Sequence, residues 1–154
     1  MNARVLIVDD EPANAELLEA ILEQDPDLEV KTLNDSRLAE HEFMAFEPDL
    51  MLLDLHMPEP DGLEILRRLR GARISLGYLP VIVLSADRSR LARNSALGLG
   101  ADDFLTKPFD RAEVVLRVRN LLHTRQLYME LASAKEALEQ HQVRGRHGPK
   151  DGPA

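Results

Sequence analysis

No cysteine occurs among the 154 residues, so disulfides and thiolate metal sites are both excluded. A basic excess is also missing. Nineteen Lys and Arg face 27 Asp and Glu, the formal net charge is -8 and the pI is about 5.1. That balance argues against broad electrostatic binding to nucleic acid or to an anionic membrane, and neither is an expected partner. Long hydrophobic runs are lacking too. Met1-Asn2-Ala3-Arg4 leads directly into Val5-Leu6-Ile7-Val8, an apolar stretch too short for a signal peptide and without a cleavage site. No later run approaches membrane-spanning length, so a cytoplasmic protein is expected. Apolar residues are nevertheless plentiful. At 44 % they suffice for a packed core, which excludes disorder of the whole chain. The length fits one ordinary domain with residues left over.

Five short apolar runs recur at similar intervals, over residues 5–8, 28–33, 50–53, 81–84 and 103–106. The first, third and fourth are nearly continuous in Val, Leu and Ile, as strands buried on both faces should be. The second, Leu28-Glu29-Val30-Lys31-Thr32-Leu33, is mixed and fits an edge strand. Helical patterns lie between the runs. Pro12 suits a first helical turn, after which Leu17, Leu18, Ile21 and Leu22 share a face. Asp35 or Ser36 caps a second helix whose apolar side includes Leu38, Phe43 and Phe46. Residues 62–69 place Leu63, Leu66 and Leu69 together. A shorter helix over 88–99 ends near Gly100, and Asp110 caps a last helix beginning near Arg111. Strand alternating with helix predicts an α/β fold, a doubly wound five-stranded parallel sheet with right-handed crossovers and an extended C-terminal helix. Ligands of such folds sit at the carboxyl ends of the strands, where strand order switches.

Those ends carry Asp9, Asp10 and Glu11 after the first strand, Asp54 after the third, Ser85 after the fourth and Lys107 after the fifth. Singly, each has an ordinary explanation: a loop acid, a helix cap, a solvated charge. Glu11 is explained by a favourable charge at a helix N-terminus. Together they place carboxylates, a hydroxyl and an ammonium on one rim. Crowded carboxylates must be relieved by proton uptake or by a cation. Mg2+ suits the site, because it takes oxygen ligands and keeps several waters while held by one or two carboxylates. Phosphoryl transfer requires mainly positioning and neutralisation of the equatorial oxygens, and Mg2+, Lys107 and the Ser85 hydroxyl each serve one. Asp54 is then the nucleophile and forms an acyl phosphate.

Val8-Asp9-Asp10, Leu53-Asp54-Leu55-His56-Met57-Pro58, Asp61-Gly62, Leu84-Ser85-Ala86, Gly100-Ala101-Asp102-Asp103-Phe104 and Lys107-Pro108-Phe109 together resemble the receiver domain of bacterial two-component response regulators. The resemblance covers about four-fifths of the chain and implies the flavodoxin-like receiver fold. It makes Asp54 the phosphoacceptor, Asp10 a direct Mg2+ ligand, Asp9 a ligand mainly through water and the His56 backbone carbonyl the third protein ligand. Lys107 would contact the phosphoryl group, with a cis Lys107-Pro108 peptide. Ser85 and Phe104 match the coupled switch pair that reports phosphorylation to the far face, with Phe104 expected on the fifth strand toward the last helix. Phe104 stands where the family often has Tyr, so no phenolic hydrogen bond is available. His56 and Asp87 occupy positions that often tune phosphoryl lifetime in the family, with solvated loop residues as the plainer explanation. The implied donor is a phosphohistidine on a sensor histidine kinase or phosphotransfer protein, and a downstream effector protein reads the result. Such a module is not a turnover enzyme; it catalyses only its own phosphorylation and dephosphorylation.

The receiver is expected over residues 1–122 and a helical extension over 123–143, with a disordered tail, rich in Gly and Pro, over 144–154. Leu127, Leu131, Ala134, Leu138 and His141 follow a four-three spacing, a short coiled-coil seam that predicts a homodimer through this helix. An amphipathic tail folding back on its own domain is the simpler alternative. Receiver plus helix also resembles regulators with a cyclic-dinucleotide effector domain, so a fragment of such a protein is a second reading. A phosphatase using an aspartyl-phosphate is the enzymatic rival. Enzymes of the haloacid dehalogenase type want a second Asp two residues after the nucleophile, and His56 stands there instead. A pseudo-receiver that binds partners without phosphorylation is disfavoured by the intact acidic, Ser85 and Lys107 set.

Overall fold

The apolar runs form five strands because each must bury side chains on alternate faces of a covered sheet. In a computed structural model that describes residues 2–71 and 78–146, the strands are β1 (Ala3–Val8), β2 (Leu28–Leu33), β3 (Leu50–Asp54), β4 (Val81–Ser85) and β5 (Asp103–Thr106). The helices are α1 (Pro12–Leu22), α2 (Ala39–Phe46), α3 (Gly62–Gly71), α4 (Arg90–Gly98) and α5 (Arg111–Arg146). All pairings are parallel, in the order β2-β1-β3-β4-β5. Val5 and Ile7 face a layer made by α1 and the start of α5, with Leu18 and Val118 in its core. Leu6 and Val8 face the opposite layer, where Phe43 of α2, Leu66 of α3 and Ala96 of α4 pack.

Register places the rim. Val8 pairs with Leu33 and Leu53, Asp54 with Leu84, and Ser85 with Thr106, so the strand ends lie level. Chain order reverses between β1 and β3, the switch point at which such sheets bind ligands.

Several expectations are refined. Leu17 is 47 % exposed, because the buried stripe of α1 runs through Ala15, Leu18, Ile21 and Leu22. Leu38 is also exposed: Asp35 accepts from the Arg37 N–H and caps a 3-10 turn, Ser36–Leu38, that precedes α2. Gly100 follows α4 with φ +103°, a conformation that favours glycine. The Phe104 ring lies in the α4 layer and not in that of α5, since alternation along β5 gives the α5 side to Leu105. The last helix continues through Gly145 to Arg146, past the boundary at 143, since a single glycine near a helix end costs only about 1 kcal/mol against alanine. Residues 147–154 of the expected tail lie outside the described residues. Among the described residues no helix is long and apolar enough to cross a membrane.

At the amino ends of the strands, charges are largely paired, although the buried Arg125 Nε has no hydrogen-bond partner among the described residues. Arg70, at the end of α3, donates to the carbonyls of Gly100 (2.6 and 2.9 Å) and Leu79 (2.7 Å) and to Asp102 Oδ2 (2.9 Å). Asp102 also accepts from the Val81 N–H and the Tyr78 hydroxyl. Asp49 accepts from the Arg4 N–H and forms a 2.9 Å ion pair with Arg125 of α5.

Candidate functional site

The rim begins where β1 stops. The Asp9 N–H still donates to the Leu33 carbonyl, and Asp9 Oδ1 then accepts from the Glu11 N–H at 3.0 Å, which starts the turn into α1. Asp9 is completely buried, and Asp10 beside it is half-buried. Asp54 ends β3 and is also buried. Its Oδ1 accepts from the His56 N–H at 3.3 Å. Behind it, α3 begins at Gly62. A Cβ there would sit 2.1 Å from the Asp54 carbonyl oxygen, so only glycine lets this helix approach the strand end. The Gly62 N–H donates to the Leu55 carbonyl.

Lys107 enters from β5. Its N–H donates to the Ser85 carbonyl, and its Nζ lies 3.2 Å from Asp9 Oδ2 and 3.3 Å from Asp54 Oδ1. The Lys107-Pro108 peptide is cis, in agreement with the family pattern, and Glu59-Pro60 is cis as well. Burial pushes the Asp54 carboxyl up to about 6, and the neighbouring Asp9 adds to the rise against the opposing pull of Lys107. Burial works against the charge on Lys107, but Asp54 and Asp9 outweigh it and hold the ammonium above its usual range.

One ammonium among three carboxylates leaves the rim negative. Oxygens of Asp9, Asp10 and Asp54 all lie within 4.8 Å of one another. Asp9 Oδ2 is buried without a well-aligned hydrogen-bond donor, although Lys107 stands beside it. A hard cation fits this all-oxygen set, because it supplies the missing partner and offsets the repulsion.

The structure brings Asp9, Asp10, Asp54 and Lys107 together and places Ser85 at the adjoining strand end. Ser85 is fully buried, and its Oγ accepts from the Asp87 N–H at 3.0 Å and hydrogen-bonds His56 Nε2 at 3.2 Å. Asp87 accepts in turn from the Ser89 N–H, and the hydrogen bonds from Ser89 hold its carboxyl below the usual range. Phe104 is buried on the same sheet, beside Val83 in register. Sequence reasoning missed the bond between His56 and Ser85. The only signal was that both residues follow strand ends; the aim of an imidazole is a tertiary property.

A family model described as the response regulator receiver domain matches residues 5–119. The transcriptional regulatory protein TrcR of Mycobacterium tuberculosis is 42 % identical over 119 residues, which cover 77 % of this chain and 45 % of that protein. The alkaline phosphatase synthesis transcriptional regulatory protein PhoP of Bacillus subtilis is 32 % identical over 146 residues, covering 95 % and 58 %. The chain thus spans about half the length of these relatives. A crystal structure of a putative response regulator from Chloroflexus aurantiacus superposes with a TM-score of 0.74 at 32 % identity, covering 80 % of this chain and 99 % of the other.

Proposed function

The chain belongs to the response regulator receiver family of two-component signalling, and on that premise we propose that Asp54 is its phosphoacceptor. The observation that carries this reading is the placement of Asp54, buried at the end of β3, with Lys107 Nζ 3.3 Å away and the carboxylates of Asp9 and Asp10 alongside. An Asp54 oxygen attacks the phosphorus of a phosphohistidine on a sensor kinase or phosphotransfer protein. An O–P bond forms, the N–P bond breaks, and the electron pair leaves with the imidazole. Lys107 is positioned to neutralise a phosphoryl oxygen, and the Ser85 hydroxyl to donate to another once it turns from His56. Receiver domains bind Mg2+ at an acidic pocket; here Asp10, Asp54 and the His56 backbone carbonyl would hold the ion, with Asp9 acting mainly through water. When bound, the ion would supply charge neutralisation for the incoming phosphoryl group.

Beyond its own phosphorylation and dephosphorylation the domain catalyses nothing. It acts in the cytoplasm as a module whose surface changes with phosphorylation, for a downstream effector protein to read. Ser85 and Phe104 link pocket and surface, and the C-terminal helix pairs two copies. Acetyl phosphate with Mg2+ should add one phosphoryl group by intact mass, and Asp54→Asn should add none. Asp10→Asn should slow the uptake. Undiminished labelling of Asp54→Asn would remove Asp54 from the role.

A further inference from the structure

One line along α5 changes character where the helix leaves the body of the domain. Glu113, Arg117, Asn120 and Thr124 repeat at four-three spacing and are polar. The same line continues as Leu127, Leu131, Ala134 and Leu138. Leu131 is 69 % exposed and Leu138 59 %. The inward side of α5 is a different line: Val114 and Val118 are fully buried, Leu121 packs on the core, and Arg125 pairs with Asp49. At about 100° per residue the two lines lie roughly 140° apart. The leucines therefore face away from the domain that carries them, and a domain of either copy would lie outside a pair of such helices.

From this geometry we infer that two copies associate as a parallel, in-register coiled coil along Leu127, Leu131, Ala134 and Leu138. The inference rests on the reading that the C-terminal helix dimerises, and adds its direction and register. With Leu131 at position a and Ala134 at d, Glu130 is at g and Lys135 at e. In a parallel pair, Glu130 of one copy meets Lys135 of the other, twice by symmetry. Within its own chain Glu130 accepts only a long 3.4 Å bond from Gln126, and Lys135 has no ion-pair partner among the described residues. An antiparallel pair over the same stretch would set Leu131 against Ala134 and Leu127 against Leu138 of the second copy, with Glu130 beside Ala137 and Lys135 beside Tyr128. That arrangement keeps an apolar seam but leaves both Glu130 and Lys135 without an opposite charge, which the parallel pair supplies twice.

The absence of cysteine makes a direct test clean. Leu131→Cys and Leu138→Cys, each in the full chain, should form same-residue disulfides under mild oxidation, at concentrations where sedimentation shows the parent to be dimeric. Glu130→Lys should weaken the dimer roughly three- to tenfold, and Glu130→Lys with Lys135→Glu should restore it. A dimer in which neither single-cysteine variant cross-links, while a mixture of Leu131→Cys and Ala134→Cys does, overturns the parallel register and leaves dimerisation standing. A parent that sediments as a monomer at all accessible concentrations overturns both.

Discussion

The two ends of one sheet handle charge in opposite ways. At the amino ends of the strands, Arg70 spreads its donors over Gly100, Leu79 and Asp102, and Asp102 has further donors in Val81 and Tyr78. At the carboxyl ends, Asp9, Asp10 and Asp54 share Lys107, and Asp9 Oδ2 lacks an aligned donor. Both ends are built from the same residue types on the same strands. One end is largely paired around Arg70 and Asp102 and contributes stability; the other is left under-compensated, as the proposed cation and phosphoryl site requires. Local choices that conflict with stability are expected where function lies.

Breaking the well-paired end should have the largest effect. Arg70→Ala leaves Asp102 half-buried without its cation and frees two carbonyls, so a loss of about 3 kcal/mol is expected from chemical denaturation. A loss below about 1 kcal/mol would mean that the network is solvated and that the two ends differ less than their geometry implies.

The next effect sharpens the other end. Asp54 titrates near 6 in the folded metal-free protein against 3.8 as its ordinary value. Its folded form holds the proton more tightly, so its contribution to stability is full below about pH 3.8 and is lost as pH rises through about 6. A difference of that size between folded and unfolded chain corresponds to about 3 kcal/mol. Metal-free Asp54→Asn should therefore show a flatter stability profile than the parent between pH 4 and 7. Parallel profiles would place the carboxylate strain elsewhere.

A smaller effect, about 1–3 kcal/mol, is expected for coupling between the pocket and the dimer. Ser85 meets His56 at the rim, Phe104 is buried in the α4 layer, and the next strand residue back, Asp103, forms a 2.7 Å ion pair with Arg117 of α5. β5 thus connects the rim to the base of the long helix. Beryllofluoride should change the dimer dissociation constant of the parent, and Ser85→Ala should remove most of that change. Equal dimer affinities with and without beryllofluoride would send the signal out through another face.

Much of this contrast was legible in the amino-acid sequence at one end only. Buried parallel strands appear as continuous apolar runs, so the ends of β1, β3 and β4 were visible within one or two residues, and the rim acids, Ser85 and Lys107 followed from topology. The well-paired end was not visible. Arg70 looks like a solvated helix residue until the fold brings Gly100 and Asp102 to it across 30 and 32 positions. The exposure of Leu17 and Leu38 and the layer taken by Phe104 depended likewise on helix rotation and strand alternation, which periodicity fixes only to within a residue. The hydrogen bond of His56 to Ser85 lay beyond any pattern, because loop side chains take their direction from tertiary packing.

The central claim is that the rim is held against its own repulsion. It is tested most directly by unfolding the parent and Asp54→Asn at pH 7, each with chelator and with Mg2+. The parent should gain about 1.4 kcal/mol at Mg2+ tenfold above its dissociation constant. Asp54→Asn should be more stable than the parent in chelator, by about 2–3 kcal/mol, and should gain much less from Mg2+. An Asp54→Asn protein less stable than the parent without metal would contradict the account.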